Sequence, residues 1–265
     1  MPSPPAGAGP LTVRDHTLTM FQLSSLEAAS GLIHAFSEVA DGNMSFAWGA
    51  VETVVGNRRR FVDWLEIPLE RCIAMYIEHG TRVAVVGEHD AGRGMESAET
   101  AIRTDGLVTT APRIALFLLT GDCLPIVLYD PVQRAVGLAH VSRLNATSGL
   151  IANTVGAMVA HGCAAKNLIV GIGPAIQKKS YIFPDLAANT WMPRFGVRAV
   201  RVGGGAIAVD LPGYAEDELV AADVPRSAIF VSDVDTATDP SFFSHRRSEL
   251  TGEAEGRMAT VAALR

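Results

Sequence analysis

Apolar and polar positions repeat with two different periods along this chain, and together they predict strands and helices in an irregular order. Short apolar runs, alternating or continuous, are typical of strands. They cover residues 11–23, 32–37, 82–86, 114–119, 125–129, 135–140 and 168–172, with a further apolar segment at 256–264. Helical spacing covers residues 51–65 and 148–161. Because strands and helices do not alternate regularly, the pattern predicts an α+β fold with mixed β-sheets.

The sequence indicates which face of the first predicted helix is buried and where the second predicted helix begins and ends. In the first, Arg58 shares a face with apolar side chains, and Arg59 and Arg60 point away from it. We interpret the run of three arginines as a solvated helix face. The second begins at Ser148 as N-cap and ends before Gly162. Residues 1–10, rich in Pro, Gly and Ala, are expected to form a flexible tail, and residues 11–265 a single domain.

Composition narrows the class of protein. Of 265 residues, 48% are apolar and 19% charged, as in a packed globule. A net charge of −6 argues against nucleic-acid binding, and no apolar run is long enough to cross a membrane. Cys72, Cys123 and Cys163 lie far apart, which argues against a disulfide framework and indicates a reducing, cytoplasmic location.

Candidate chemistry lies on the hairpin predicted over residues 120–140. Asp130 followed by Pro131 fits the first two positions of a type I turn, and pairing Asp130 with Gln133 places Cys123 opposite His140. Opposed residues have Cβ atoms about 4.5–5.5 Å apart, which suits a thiolate and an imidazole that share one zinc ion. A register slip of one residue would move the two side chains to opposite faces.

His79, followed by Gly80 at the entrance to a strand, is the candidate third ligand. Two histidines and one cysteine leave a fourth tetrahedral position open, which is typical of catalytic zinc. The spacing does not distinguish this site from a buried thiol and two hydrogen-bonded imidazoles, because it is looser than paired Cys-x-x-Cys motifs.

The segment Thr120-Gly121-Asp122-Cys123-Leu124-Pro125, with the His79-Gly80 and Ala139-His140 steps, resembles the laccase-domain family. That family is also called multicopper polyphenol oxidase, and some members are described as purine nucleoside phosphorylases. Further similar segments follow in order over nearly the whole chain: His34-Ala35-Phe36-Ser37, Asn57-Arg58-Arg59-Arg60, Asp105-Gly106-Leu107-Val108-Thr109, Gly173-Pro174-Ala175-Ile176, Phe242-Phe243-Ser244-His245-Arg246-Arg247 and Gly256-Arg257-Met258-Ala259.

The resemblance implies two layers of mixed sheet with helices outside, and a catalytic zinc held by His79, Cys123 and His140. It implies phosphorolysis of adenosine, inosine or methylthioadenosine, with adenosine deamination as a further activity. The expected partners are small molecules, a purine nucleoside and phosphate, and the chain is expected to be a monomer or homodimer. Copper-dependent oxidation of phenols is also attached to the family, but scattered histidines and cysteines do not readily supply several copper centres.

The chain departs from the family pattern around the expected phosphate site. Leu144 stands where the family has an arginine, and Ser37-Glu38-Val39 replaces Ser-Thr-Arg. Residues 177–182 replace a Gly-Pro-Cys-Cys-Tyr-Glu segment. We expect Arg143, Lys178 and Lys179 to supply the substrate-binding positive charge, although the lysine pair also fits an ordinary solvated loop.

Two other functions fit the same residues. Cys123 and His140 could form the nucleophile and base of a thiol hydrolase, or the chain could bind a metal and a nucleoside without turnover. The proton carrier is not assigned. Asp122 is expected to face away from Cys123 and to make structural hydrogen bonds, and neither His34 nor Asp105 is a stronger candidate.

Overall fold

The computed structural model describes residues 20–27 and 29–265. The predicted tail and most of the strand predicted over residues 11–23 lie outside these ranges, within which no helix is long and apolar enough to cross a membrane. The strands are β1 (Met20–Phe21), β2 (Leu32–Ser37), β3 (Cys72–Tyr76), β4 (Val83–Val85), β5 (Ile102–Arg103), β6 (Gly106–Thr109), β7 (Ala115–Thr120), β8 (Leu124–Asp130), β9 (Ala135–Val141), β10 (Ile169–Ile172), β11 (Ile182–Phe183), β12 (Ala199–Arg201), β13 (Ile207–Val209), β14 (Ile229–Val231) and β15 (Met258–Leu264). The α-helices are α1 (Ser24–Glu27), α2 (Val51–Trp64), α3 (Leu150–Ala160), α4 (Ala188–Phe195), α5 (Leu211–Ala221) and α6 (His245–Thr251).

Two six-stranded sheets form the centre of the molecule. One has the order β1-β2-β15-β7-β3-β5 and the other β14-β10-β8-β9-β6-β4, and a small third sheet has the order β11-β13-β12. In the first large sheet β15 runs antiparallel to β7, whereas β3 runs parallel to it. In the second, β10 is antiparallel to β8 and parallel to β14. Both large sheets are therefore mixed, which confirms the predicted fold class.

The alternation of side chains in the central strands explains the layers. In β7, Leu116 and Leu118 point into the core between the two large sheets, whereas Phe117 points to the other face, where it packs in one core with Phe61 of α2. On the outer face of the second sheet, residues of β8 and β9 share a core with α3, α4 and α5. The expected sandwich with helices outside is confirmed.

The interpretation of the arginine run in α2 is wrong for its first member. Arg58 is 2% exposed. Its guanidinium donates to the carbonyl oxygens of Met44 and Gly94 at 2.8 and 2.7 Å. Burial lowers the pKa of Arg58 to about 10, so it stays charged near neutral pH. Arg58 therefore ties two loops to the helix, while Arg59 and Arg60 are exposed as expected.

The start of the second predicted helix also differs. Helix α3 begins at Leu150, and Gly149, with a φ of 96°, occupies the N-cap position. Ser148 lies in a preceding turn, where its hydroxyl donates to the Leu144 carbonyl at 3.1 Å instead of capping the helix. Residues 90–104 are mostly loop, and Gly94, Ala98 and Ala101 within them line a small cavity of ≈ 220 Å³.

The predicted hairpin exists, but its register is wrong by two residues. Asp130 pairs with Ala135, and Pro125 pairs with His140. The strands are joined by four residues because Asp130 Oδ1 accepts the N–H of Val132 and of Gln133, and Arg134 takes a left-handed φ of 50°. This wider loop avoids the splaying that a two-residue type I turn produces. Since the shift is even, Cys123 and His140 remain on the same face.

His34 makes the stability of the protein depend on pH. It lies in β2 opposite Ala262 of β15, and its Nε2 accepts the N–H of Leu23 at 3.1 Å. Burial lowers the pKa of His34 to about 4, from 6.5. Because the folded-state pKa lies below the unfolded one, its stabilising contribution is complete above about pH 6.5 and is lost as the pH falls towards about 4.

Between about pH 7 and pH 4, we expect the wild type to lose about 3 kcal/mol more unfolding free energy than His34→Gln. The Gln side chain keeps an acceptor for Leu23 N–H but does not titrate. Urea denaturation at a series of pH values measures both proteins. Parallel curves of stability against pH would contradict this role of His34.

Candidate active site

Cys123 and His140 come together where β8 and β9 meet at one end of the second sheet. His140 follows Val136 and Leu138 on the face that packs against the other sheet. Cys123 immediately precedes β8 and lies diagonal to His140, two residues beyond the pair between Pro125 and His140. Its sulfur lies within electrostatic and hydrogen-bonding range of the His140 ring. The two residues that sequence reasoning paired are neighbours, despite the different register.

His79 approaches the same place from the loop between β3 and β4. The centroids of the His79 and His140 rings are 5.1 Å apart. The Nδ1 of His79 lies 3.2 Å from the hydroxyl oxygen of Ser142. His79 itself, rather than the adjacent Gly80, has a positive φ, at 56°. A left-handed backbone at a non-glycine residue costs on the order of 1–3 kcal/mol and persists only where surrounding contacts hold it.

Those contacts come from Asp105, which immediately precedes β6. Its carboxylate accepts the backbone N–H groups of Glu78, His79 and Gly80 at 3.2, 3.0 and 2.8 Å. The same carboxylate lies 3.0 Å from Nδ1 of His140. One buried side chain therefore fixes both the loop that carries His79 and the ring of His140. Because Asp105 occupies Nδ1, the Nε2 of His140 is the nitrogen left for a metal or substrate.

The pKa values of His79, His140 and Asp105 are shifted because the three groups are buried close to one another. Burial, followed by repulsion from His140, lowers the pKa of His79. Burial alone would lower the pKa of His140, but attraction to Cys123 and hydrogen bonds with Asp105 and Cys123 raise it above its usual range. Burial alone would raise the pKa of Asp105, but hydrogen bonds from His140 and the loop amides lower it. Without a metal, His140 is thus the more readily protonated of the two histidines.

His79, Cys123 and His140 line a cavity of ≈ 630 Å³. That volume is within the range of small-molecule sites. Its lining combines the candidate ligands with cations and aromatic rings, and consists of Ile77, His79, Leu119, Thr120, Gly121, Asp122, Cys123, His140, Arg143, Leu144, Tyr181, Phe183, His245, Arg246, Glu249 and Arg257.

Arg143 is the expected substrate-binding residue that lines this cavity. Its guanidinium lies 5.3 Å from the ring centroids of both Phe183 and Trp191, and its Nη1 lies 3.4 Å from the Tyr181 hydroxyl. Its Nε is buried and has no hydrogen-bond partner among the described residues. A buried donor without a partner is costly, so this atom is suited to an anionic or polar ligand.

Comparison with known proteins identifies the family of this chain. The sequence model of the multi-copper polyphenol oxidoreductase laccase family matches residues 34–265. The chain belongs to this family. Purine nucleoside phosphorylase YlmD of Geobacillus stearothermophilus is 34% identical over 212 residues, covering 77% of this chain and 76% of the relative. Purine nucleoside phosphorylase ORF3 of Streptomyces griseus is 31% identical over 223 residues, covering 81% of this chain and 85% of the relative.

The fold is shared as well. The crystal structure of YlmD from Geobacillus stearothermophilus has a TM-score of 0.86 at 28% identity, covering 97% of this chain and 100% of that chain. That of the Bacillus licheniformis protein YfiH has a TM-score of 0.85 at 25% identity, covering 95% and 98%. The family predicted from sequence motifs is therefore confirmed.

The family name associates these proteins with metal, and the residues near Cys123 include groups of the kind that bind metal ions. One thiol and two imidazoles are the donor types that zinc prefers, and Asp105 orients His140 as a carboxylate commonly orients a metal-binding histidine. Within residues 20–27 and 29–265, however, no three His, Cys, Asp or Glu side chains are already spaced to hold an ion. The residues therefore fit zinc in donor type, but not in the spacing that they have in this structure.

The two expected lysines do not line the cavity. Lys179 lies on the surface with its Nζ 3.7 Å from Asp235, and Lys178 is likewise absent from the lining. Arg246 and Arg257 supply cavity charge that sequence reasoning did not assign. Both belong to segments noted only for family resemblance, and no local spacing links them to Cys123.

Asp122 makes the structural hydrogen bonds expected of it. One carboxylate oxygen accepts the Thr236 hydroxyl and the other the backbone N–H of Arg246, each at 2.7 Å. These bonds attach the loop before Cys123 to the start of α6.

Asp105→Asn is expected to weaken binding of added zinc by about 10–100-fold, because the amide has one acceptor oxygen for contacts that now use two. Competition with a chromogenic chelator measures the affinity. Asp130→Asn is the matched control, since Asp130 is also buried and also accepts backbone N–H groups, but those groups belong to Val132, Gln133 and Ala164 and not to the site. Equal zinc affinities in the two variants would contradict the orienting role of Asp105.

Proposed function

We propose that this protein is a zinc-dependent purine nucleoside phosphorylase, with His79, Cys123 and His140 as both metal ligands and catalytic residues. The observation that carries the proposal is the position of Arg143. Arg143 lines the same cavity as the two histidines, where a phosphate would meet charge and metal together, and its buried Nε has no hydrogen-bond partner among the described residues. The names of the curated relatives support the same reaction.

The cavity offers different surfaces to the two substrates. Arg143 is held against Phe183 and Trp191, so its guanidinium is already positioned for an anion. Arg246 adds positive charge, and its Nη1 donates to the Ile182 carbonyl at 2.9 Å, which fixes its direction. The rings of Tyr181 and Phe183 meet edge to face, with centroids 4.7 Å apart and planes at 66°, and a purine can stack on the face of one of them.

A bound zinc would supply Lewis-acid chemistry, by polarising a substrate atom and offsetting developing negative charge. The chain itself does the positioning. Asp105 keeps Nε2 of His140 directed towards the site, and the loop around His79 is fixed by the same carboxylate. The apolar rings of Phe183 and Trp191 beside Arg143 lower the local polarity, which strengthens the attraction between Arg143 and phosphate.

Methylthioadenosine phosphorolysis and adenosine deamination are proposed as further activities of the same site. Copper-dependent phenol oxidation is the lesser alternative, since seven histidines and three cysteines scattered along the chain do not readily supply several copper centres. Zinc as the metal, the 11–265 domain, the cytoplasmic location and the monomeric or dimeric state stay predictions.

A thiol hydrolase is the second candidate, favoured by the attraction between Cys123 and a His140 whose pKa is raised. A chelator separates the two functions. Activity that survives complete removal of zinc and is lost on alkylation of Cys123 would support the thiol enzyme.

The test of the proposal is elemental analysis followed by incubation with adenosine, with and without phosphate. We expect about one zinc ion per protein chain, since one thiol and two imidazoles form a single site. We also expect free adenine and a ribose phosphate only when phosphate is present, and loss of turnover in His140→Ala. Inosine formation would indicate deamination. Binding of adenosine without any product would support the non-catalytic alternative and contradict phosphorolysis.

Arg143→Ala is expected to raise the KM for phosphate by about 30-fold, because a charge-assisted hydrogen bond contributes roughly 2 kcal/mol. Steady-state rates at varied phosphate measure it. The double variant Lys178→Ala, Lys179→Ala is the matched control, since it removes two nearby cations that do not line the cavity. A larger effect of the lysine pair than of Arg143 would overturn this assignment of the phosphate site.

A further inference from the structure

Phosphorolysis requires a proton at the departing base. When the bond between the sugar carbon and purine N9 breaks, its electron pair goes to the base, which leaves readily only if a proton reaches the ring. This requirement rests on the proposed function, and one side chain in the cavity must deliver the proton.

Most titratable groups in the cavity are already committed. His79, Cys123 and His140 are the proposed ligands, and both oxygens of Asp122 accept structural hydrogen bonds. Burial raises the pKa of Tyr181 to about 12, and its hydroxyl contacts Arg143. Among the acids and bases that line the cavity in the described part of the chain, His245 and Glu249 remain.

His245 is held in a defined orientation. It is the first residue of α6, and its Nδ1 lies 2.5 Å from Oε1 of Glu255. The other oxygen of Glu255 accepts a hydrogen bond from Arg257 at 2.6 Å, so this carboxylate is itself fixed. The contact at the remaining nitrogen is looser, with Nε2 3.5 Å from Glu249. Nε2 is therefore the nitrogen available to a substrate.

The start of α6 is also fixed relative to Cys123. The backbone N–H of Arg246 donates to Asp122, the residue before Cys123. A methyl group placed on Gly121 would lie only 3.6 Å from the backbone nitrogen of His245. Burial alone would raise the pKa of Glu255, but hydrogen bonds from His245 and Arg257 lower it, so the carboxylate that orients the ring stays ionised.

We propose that His245 is the catalytic acid that protonates the departing purine, and that Glu255 is its positioning residue. The imidazolium gives the proton on Nε2 to N7 of the base as the glycosidic bond breaks. A phosphate oxygen forms the new bond to the sugar carbon. His245 then regains a proton from the phosphate hydroxyl or from solvent, to which its half-exposed side chain is open. The proton that phosphate loses equals the one that the base gains.

Comparison of inosine with 7-methylinosine tests the proposal. The methyl group gives the purine a positive charge, so its base departs without needing a proton. We expect His245→Gln to lower kcat for inosine by about 10²–10³-fold, and kcat for 7-methylinosine by less than about tenfold. Activity on the methylated substrate also shows that the variant folds and retains its metal. Equal losses with both substrates, or no loss with either, would overturn the role of His245.

The controls separate this inference from the proposed function. Glu249→Gln removes the other uncommitted titratable side chain of the cavity lining, and we expect it to affect the two substrates alike. His89→Gln removes an exposed histidine outside the cavity lining and should leave both rates unchanged. Glu255→Gln should show the substrate-dependent loss of His245→Gln in weaker form. If the wild type cleaves neither nucleoside with phosphate, the proposed function fails first, whereas a wild type that cleaves both with no selective loss in the variant contradicts only His245.

Discussion

The arrangement of the site depends on the buried carboxylate of Asp105. A carboxylate away from water is tolerated only when several donors surround it, and here those donors are the amides of residues 78–80 and the ring of His140. The requirement works in both directions. The carboxylate needs the loop, and the loop needs the carboxylate to keep His79 in a left-handed conformation. Two distant segments of chain are thereby held as one unit.

The two packed sheets determine where this unit lies. The core between them is apolar along β8 and β9, and the same face becomes polar only where those strands end, at Cys123 and His140. Strand alternation thus directs the chemistry into the space between the sheets, at its rim. The rim is open enough to admit a small molecule and sufficiently buried to shift the pKa values of the histidines.

What could be predicted from the sequence depended on the range of the interaction. Period-two alternation predicted Cys123 and His140 on one face of the sheet. That prediction holds although the predicted register differs by two residues, because only an odd shift changes the face. Arg58 was misjudged because its partners are carbonyl groups of distant loops. Lys179 was expected at the site because residues 177–182 replace a segment of the family pattern, whereas Arg246 and His245 reach the cavity through folding alone. The role of Asp105 depends on backbone amides, which carry no sequence signature.

The residues that line the cavity and the outer helices α2 to α5 are separate parts of the molecule, which affects where substitutions can be tolerated. Among the described residues, none of α2, α3, α4 or α5 contributes to the cavity lining. The cavity is lined by strand ends, loops and α6, so substitutions on the outward faces of the other helices would leave its lining unchanged. A fold with a TM-score of 0.86 to YlmD at 28% identity is compatible with such freedom at the surface.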